Sequence, residues 1–434
     1  MKKFILGASM ALGVAAGEVG AQQLPTTTQS PAPVVSLTAP PGGTVTESAP
    51  TTVTTGDALG ASLFPSGGGG AGGGGSGPAT RIYTEASYLL MFTNHSNIAT
   101  PLATGGPALG ILGNAGTTTL LGNDSVGYGT MSGIKVGIGG FVGDSRFGFE
   151  GDVMYIGRVT DTQGIGPTSS MVVARPFYDP VTKQQNSVII AAPGAYNGAI
   201  EQNAGMQVWG FETNPFIRLA QGGPVTFDLI TGFRFFQETE SLNLYSASTL
   251  LPGGVTAFDG LGLSSGSVST HDLISTRNQF YGGQVGGRMS YATGRWFLDL
   301  TGKIAIGGVR EVVNVNGSTT LTNGPLVAPT STAGGFYGSG NYLGQMTQNK
   351  FGVLPELNLQ LGFQVTSWMN VFAGYQLMYL NHVARPGDQL NANIAVSQLP
   401  TSPTYSTKFP TVSNGITDAD LWLHGFNFGL TLTY

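Results

Sequence analysis

The stretch TRNQFYGGQVGGRMSYATGRWFLDLTGKIAIG, residues 276–307, decides the fold that this sequence predicts. In its second half the even positions are mostly apolar, whereas the odd positions include Asp299 and Lys303. Side chains of a strand point alternately to its two faces, so one face suits hydrocarbon and the other suits a polar interior. Residues 292–294 separate this strand from a similar alternating segment, which predicts an antiparallel hairpin.

Segments of the same kind recur on both sides of this hairpin. The segments cover residues 81–93, 131–142, 145–158, 205–219, 224–238, 276–291, 295–307, 351–365, 368–383 and 421–434. The connections between them are short at residues 143–144, 220–223, 292–294 and 366–367, and long at 94–130, 159–204, 239–275, 308–350 and 384–420. Short turns at one end and long loops at the other are typical of outer-membrane barrels, with turns in the periplasm and loops outside.

The sequence therefore predicts an all-β protein, a single antiparallel transmembrane β-barrel of about ten strands with both termini periplasmic. A barrel of twelve strands is the alternative if a long loop contains another hairpin. Residues 187–192 would then form one half of that hairpin. A soluble protein of two packed sheets is the alternative, but it leaves the regular order of short and long connections unexplained.

Composition also favours a membrane barrel over a soluble domain. Charged residues make up 9% of the 434 residues, and 69 residues are glycine. A soluble domain usually carries about 25% charged residues. No apolar run reaches the roughly 18 residues that a spanning helix needs.

The chain begins with three predicted parts. Residues 1–21 read as a signal peptide, with Lys2 and Lys3 before a short apolar core and small residues ahead of Gln22. Residues 22–80 are rich in Thr, Pro and Gly and predict a disordered periplasmic tether. Residues 81–434 form the barrel. Together they predict an exported protein of a Gram-negative-type envelope.

Aromatic residues lie near the predicted strand ends and indicate two interfacial girdles. Those towards the long loops are Trp209, Phe235, Tyr281, Tyr379 and Trp422, and those towards the turns are Phe227, Tyr291, Trp296 and Tyr434.

Alternate positions of a strand share one face, and charged residues on the face opposite the apolar one should face the lumen. They are Glu85, Lys135, Arg146, Glu150, Asp152, Glu212, Arg218, Asp228, Arg234, Arg288, Asp299, Lys303 and Glu356. A ten-stranded barrel is narrow, and isolated buried charges cost several kcal/mol, so we expect them to pair across strands. The pairs would fill the lumen and leave at most a small solute or ion path, with a selective solute pathway as the alternative.

These features favour a porin-like or structural outer-membrane function. A surface interaction or adhesion scaffold that acts through its external loops is the alternative, and an outer-membrane hydrolase is the weaker one. The chain has four His and no Cys, and it contains no nucleophile elbow, metal-binding His spacing or phosphate loop. His271-Asp272 is more typical of a solvated loop pair than of a catalytic dyad. We expect no catalytic residue, cofactor or metal.

The expected partners follow from the same reading. The barrel would contact outer-membrane lipid, and its last strand, which ends at Tyr434, would be read by the outer-membrane assembly machinery. Small solutes or ions stay possible. The formal net charge of −5 gives no reason to expect nucleic acid.

Several runs resemble the outer-membrane β-barrel porin family of type seven. They are TRNQFYGGQVG (276–286), GRWFLDLTGK (294–303), ARPFYD (174–179), VARPGDQ (383–389) and LHGFNFGL (423–430). The resemblance covers about residues 83–434 and implies a barrel, without catalytic residues to carry over. At its predicted outer rim lie Arg277, Asn278, Arg385 and Asp388, where Arg277 and Arg385 would pair with loop acids. A structural role at the rim is preferred to substrate binding.

Overall fold

A computed structural model of the chain describes residues 82–107, 109–323, 328–407 and 415–434. The predicted signal peptide (1–21) and tether (22–80) lie outside these described residues. The strands are β1 (Ile82–Thr93), β2 (Ser96–Gly105), β3 (Thr118–Val126), β4 (Met131–Phe141), β5 (Phe147–Thr168), β6 (Val173–Asp179), β7 (Gln184–Ala191), β8 (Tyr196–Gly222), β9 (Val225–Leu250), β10 (Thr256–Phe258), β11 (Leu261–Leu263), β12 (Ser267–Thr293), β13 (Trp296–Thr322), β14 (Thr330–Ala333), β15 (Gly344–Gln364), β16 (Met369–Ala384) and β17 (Asp418–Thr433). Short 3-10 turns lie at Gly340–Tyr342, Pro386–Gln389 and Val396–Gln398. No helix in the described part is long and apolar enough to cross a membrane.

Ten of these strands close into one antiparallel barrel. Their order is β12-β9-β8-β5-β4-β1-β17-β16-β15-β13, and pairing of β12 with β13 closes the ring. The predicted ten-stranded barrel is confirmed. The segment 187–192, considered as half of another barrel hairpin, falls largely in β7, which belongs to a separate four-stranded sheet β3-β2-β6-β7. We call the end of the barrel with the short β4–β5, β8–β9, β12–β13 and β15–β16 connections the turn end, and the opposite end the loop end.

The strands are much longer at the loop end than the sequence predicted. β8, β12 and β13 each contain 27 residues, whereas the predicted segments were 205–219, 276–291 and 295–307. Their turn-end bounds agree to within a few residues. The missed parts were assigned to loops, because the apolar residues there no longer face outward.

An apolar band surrounds the barrel between the turn end and the middle of the long strands. Exposed apolar side chains on it include Ile134, Phe149, Val285, Ile306, Leu361 and Phe428. Aromatic contacts mark both edges. Towards the loop end the ring centroids of Trp209 and Phe235 are 4.7 Å apart, and those of Phe235 and Tyr281 are 5.1 Å apart. Towards the turn end Trp296 packs against Phe363 at 5.0 Å. The geometry fits the two predicted girdles.

The loop end is filled by a cap made from the long connections. The cap consists of the sheet β3-β2-β6-β7 and residues 385–399. Its buried residues Leu102, Phe177 and Ile190 belong to the same apolar core as inward residues of the barrel such as Leu242. The long connections therefore fold inward and pack against the barrel wall.

Inward aromatic rings near the turn end pack against glycines of the adjoining strand. Phe297 pairs with Gly362 across β13 and β15, and Phe372 pairs with Gly429 across β16 and β17. The same arrangement joins Phe216 to Gly148 and Tyr83 to Gly139. A Cβ on any of these glycines would overlap the ring, so the glycine provides the space that the ring needs.

Replacing Gly362 by Val should destabilise the barrel by about 1–3 kcal/mol, because the added atoms overpack the interior against Phe297. The measurement is the urea midpoint of the protein refolded into detergent. Gly302→Val is the matched control, since Gly302 lies on the same sheet with its nearest neighbour, Leu357 Cδ1, 4.0 Å from the added Cβ. The double variant Gly362→Val, Phe297→Ala should recover part of the loss. An unchanged midpoint for Gly362→Val would contradict the packing described.

Candidate functional site

The turn end of the lumen contains a cavity of about 770 Å³. The turn residues Gly143 and Asp144 and the strand-end residue Gln221 line it, so it opens at the turn end. In its wall the Arg288 guanidinium donates to both Glu150 oxygens at 2.9 and 2.8 Å, and the Tyr83 hydroxyl donates to Glu150 at 2.9 Å.

A four-membered ion cluster lies deeper in the lumen. Lys303 and Arg234 each contact both Glu212 and Glu356, with Arg234 Nη1 3.3 Å from Glu212 Oε2 and Lys303 Nζ 3.6 Å from Glu356 Oε1. None of these side chains is more than 7% exposed. Gln284 donates to Glu212 at 3.1 Å and so completes the cluster. Two cations and two anions thus compensate one another's charge in this buried cluster.

Two further ion pairs accompany this cluster. Lys135 lies 3.3 Å from Asp152, on the neighbouring strands β4 and β5. Arg218 donates to both oxygens of Asp228 at 2.9 and 3.3 Å, in the fork geometry that strengthens Arg–carboxylate pairs.

The structure thus brings most of the predicted lumen charges together as pairs. Among the described residues, Glu85, Arg146 and Asp299 have no ion-pair partner. Arg146 is exposed at the cavity mouth, and Asp299 is buried with its Oδ1 lacking a hydrogen-bond partner. These three mark the part of the lumen where the side chains do not fully compensate one another.

An apolar layer follows the charged layer on every barrel strand. Its inward residues are Leu89, Met91, Met131, Met154, Ile156, Met206, Val208, Phe236, Phe280, Ala305, Val309, Leu354, Met378, Leu380, Leu421 and Leu423. Each is at most 4% exposed. On β9, for example, Phe236 follows Arg234, and on β5 Met154 follows Asp152. The layer separates the turn-end cavity from the cap.

A second polar cluster joins the cap to the barrel wall beyond the apolar layer. Arg385, 1% exposed, donates through Nε to Glu240 at 3.1 Å and through Nη1 to the carbonyls of Asn94 and His95 at 3.2 and 3.1 Å. Asn278 donates to the carbonyl of Ala384 and accepts from its amide, both at 2.9 Å. These contacts hold the 385–399 segment against the wall.

The four predicted rim residues are therefore divided between two environments. Asn278 and Arg385 face the interior, and the partner of Arg385 is the strand residue Glu240 and not a loop acid. Asp388 lies in the Pro386–Gln389 turn, where burial raises the pKa of its carboxyl. Arg277 is exposed on the outer face, and no acid pairs with it among the described residues. The expected pairing of Arg277 with a loop acid is not found.

Sequence reasoning missed a buried pair between the cap and β12. Arg175 Nη2 lies 2.9 Å from Asp272 Oδ2, and both residues are at most 1% exposed. Asp272 Oδ1 accepts from the amides of Phe336 and Gly338, each at 2.8 Å. The Arg175 guanidinium also stacks over the Phe336 ring at 4.2 Å. The charged Arg175 within the otherwise largely apolar run 172–178 was the available signal.

Two neighbouring groups complete the description of this pair. Burial raises the pKa of Tyr337 to about 12, so its hydroxyl stays protonated and donates to the carbonyl of Pro101 at 3.3 Å. His271 is exposed while Asp272 is buried, since successive strand residues point to opposite faces, and the two do not form a dyad. The described residues contain no group of three or more His, Cys, Asp or Glu side chains arranged to hold a metal ion.

A closed ten-stranded sheet with an apolar outer band, aromatic edges and a polar interior defines a transmembrane β-barrel. The family model described as "Putative beta barrel porin-7 (BBP7)" matches residues 83–434, and the chain belongs to this family of outer-membrane proteins. The resemblance seen in the sequence is confirmed. No curated protein matches the chain.

Solved structures with low similarity include three barrels. The outer membrane protease OmpT from Escherichia coli has 10% identity and a TM-score of 0.38, covering 82% of this chain and 97% of that one. A Pseudomonas aeruginosa FadL homologue has 9% identity and a TM-score of 0.17, covering 82% and 90%. The TodX monoaromatic hydrocarbon channel, as a deletion mutant, has 8% identity and a TM-score of 0.19, covering 83% and 91%.

Replacing Arg234 by Met should lower the free energy of unfolding by about 3–5 kcal/mol, because Glu356 and Glu212 lose a buried cation. The measurement is urea unfolding in detergent, followed by circular dichroism. The double variant Arg234→Met, Glu356→Leu removes both charges and leaves Lys303 with Glu212, so most of the stability should return. Arg295→Met, at an exposed turn, is the single-charge control. Equal losses in Arg234→Met and Arg295→Met would show that the cluster is not compensated as described.

Proposed function

We propose that this protein is a closed, structural outer-membrane barrel that carries the cap at the cell surface and sustains no solute flow. The turn end would face the periplasm and the loop end the exterior. The lumen would pass ions rarely or not at all. The proposal includes no catalytic step and no cofactor.

The apolar layer between the two polar layers is the observation that carries this proposal. Every barrel strand contributes to it, and its side chains are at most 4% exposed. An ion or polar solute that crossed it would lose its hydration without a compensating partner, which costs several kcal/mol or more. The turn-end cavity would therefore be a blind vestibule, filled from one side only.

The ends of the chain support the proposed orientation. The amide of Tyr434 donates to the carbonyl of Ile82 at 2.9 Å, so the described chain enters and leaves the barrel side by side at the turn end. Outer-membrane barrels keep short turns in the periplasm. The outward residues Phe426, Phe428 and Leu430 alternate along β17, and this strand is the proposed signal for the assembly machinery.

Planar-bilayer recording of the refolded protein should give rare, small conductance steps or none. A variant with Phe236, Phe280 and Met378 all replaced by Ala should conduct more often, because the apolar layer is then thinned beneath the cap. Heat-modifiable gel mobility would establish that both proteins have closed barrels.

Large, stable currents from the wild-type protein would overturn the closed-barrel proposal. If the wild type and the triple variant are both silent, the cap alone closes the lumen, and the apolar layer is not the barrier that we propose.

An interaction function at the loop end is a second candidate. Exposed apolar side chains lie in connections at the loop end, which we call the tips: Val181 between β6 and β7 is 72% exposed, Val255 before β10 is 66% exposed, and Leu261 at the start of β11 is 71% exposed. Exposed apolar side chains that do not face lipid are typical of contact surfaces when they cluster. Such tips would bind a neighbouring protein surface.

Cells that display the wild-type protein should then sediment faster than cells that display Val255→Ser, Leu261→Ser, as measured by the turbidity of standing cultures. Val142→Ser, an exposed residue near the turn end, is the matched control. Equal sedimentation of all three strains would remove the case for adhesion through these tips.

A further inference from the structure

Two arginines lie next to each other on the outer face, just beyond the apolar band. On β12 the outward residues after Tyr281 are Gln279 and then Arg277, and on β13 Arg310 pairs with Gln279. Arg277 and Arg310 are therefore diagonal neighbours on adjacent strands, at a separation that long side chains span. Both are exposed.

A third arginine reaches the same level from β5. The Arg158 guanidinium crosses the bare surface at Gly205 and donates through Nη2 to Ser241 Oγ on β9 at 2.6 Å. Ser241 pairs with Ser275, which is the next outward residue after Arg277 on β12. The three arginines, which we call the basic row, thus reach neighbouring outward positions on β9, β12 and β13.

The basic row has no carboxylate to neutralise it. No ion pair involves Arg158, Arg277 or Arg310 among the described residues. The first outward acid on β8 is Glu201, four residues beyond Gly205 and so about 13 Å further along the strand. Neutral amides lie beside the row, where Gln279 donates to Gln237 at 2.7 Å.

The height of the basic row on the barrel identifies its surroundings. The aromatic contacts Trp209–Phe235–Tyr281 mark the edge of the apolar band, and amphipathic rings favour the level of the lipid headgroups. The row begins two outward positions beyond Tyr281 on β12. Unpaired cations at this level face the phosphate layer, while the hydrocarbon lies below them.

We infer that the basic row binds the phosphate groups of anionic lipids in the leaflet at the loop end. A guanidinium fork matches a phosphate in charge and geometry, and two neighbouring forks can share one phosphate or hold two. The chain has only 18 Lys and Arg in 434 residues, yet three stand together here. With the proposed orientation this leaflet is the outer one. The barrel would thereby gain a fixed lipid on the β9–β13 side of its wall.

The test is native mass spectrometry of the full refolded chain in detergent, titrated with diphosphorylated lipid A. The wild type should bind this lipid more tightly than the same lipid with its phosphates removed. The variant Arg277→Gln, Arg310→Gln should lose about tenfold or more in affinity for the phosphorylated lipid. Arg295→Gln removes one exposed charge at the turn end and is the matched control, with affinity unchanged.

Several outcomes would overturn the inference. They are equal binding of the phosphorylated and dephosphorylated lipids, equal binding by the double variant, and an equal loss in Arg295→Gln. If the double variant does not fold, as judged by heat-modifiable mobility, Arg310→Gln alone serves, with a smaller loss expected. Binding in detergent depends neither on a closed lumen nor on orientation, so a failure here is distinct from a failure of the conductance experiment.

Discussion

Apart from the turn-end cavity, a narrow closed sheet leaves almost no room for water, so its side chains must fill and neutralise their own interior. Ten strands enclose little more space than side chains occupy. The four-membered cluster of Arg234, Lys303, Glu212 and Glu356 meets this constraint with charges, and the apolar layer meets it with methyl, thioether and phenyl groups. Buried charges are neutralised in the same way at the loop end, where Arg385 and Arg175 of the cap each pair with one buried acid of the barrel wall. The lumen is blocked because a ten-stranded barrel is narrow.

The sequence predicted the part of the barrel that contacts lipid, and for a physical reason. Hydrocarbon outside requires apolar residues at alternate positions, so β13 could be read from Trp296 to Ile306, together with its inward Asp299 and Lys303. Beyond the aromatic edge the outside is no longer hydrocarbon. There Gln279 and Arg277 face outward while Phe280 faces inward. The pattern of apolar residues outside and polar residues inside, by which the strands were recognised, is inverted.

This inversion explains which functional residues were missed or misplaced. Glu240 and Asp272 lie in the continuation of β9 and β12, which the sequence assigned to loops. Arg385 was predicted at the outer rim with a loop acid as its partner, and Glu240 could not be named as that partner while it had no strand to position it. The folding of long connections into a cap depends on contacts between segments far apart in the chain, such as Arg175 with Asp272, which no local pattern reports.

The rings that lie on glycines also have a consequence for how the barrel is assembled. Phe297 faces Gly362, Phe372 faces Gly429, Phe216 faces Gly148 and Tyr83 faces Gly139, each as a direct cross-strand partner. A strand that slid by two residues would keep its inward and outward faces, yet it would bring each of the three Phe rings against a side chain in place of a bare backbone. Each such ring and its glycine thus fit together only in the correct register. They favour that register over a two-residue slip while the strands are still pairing, before the barrel closes.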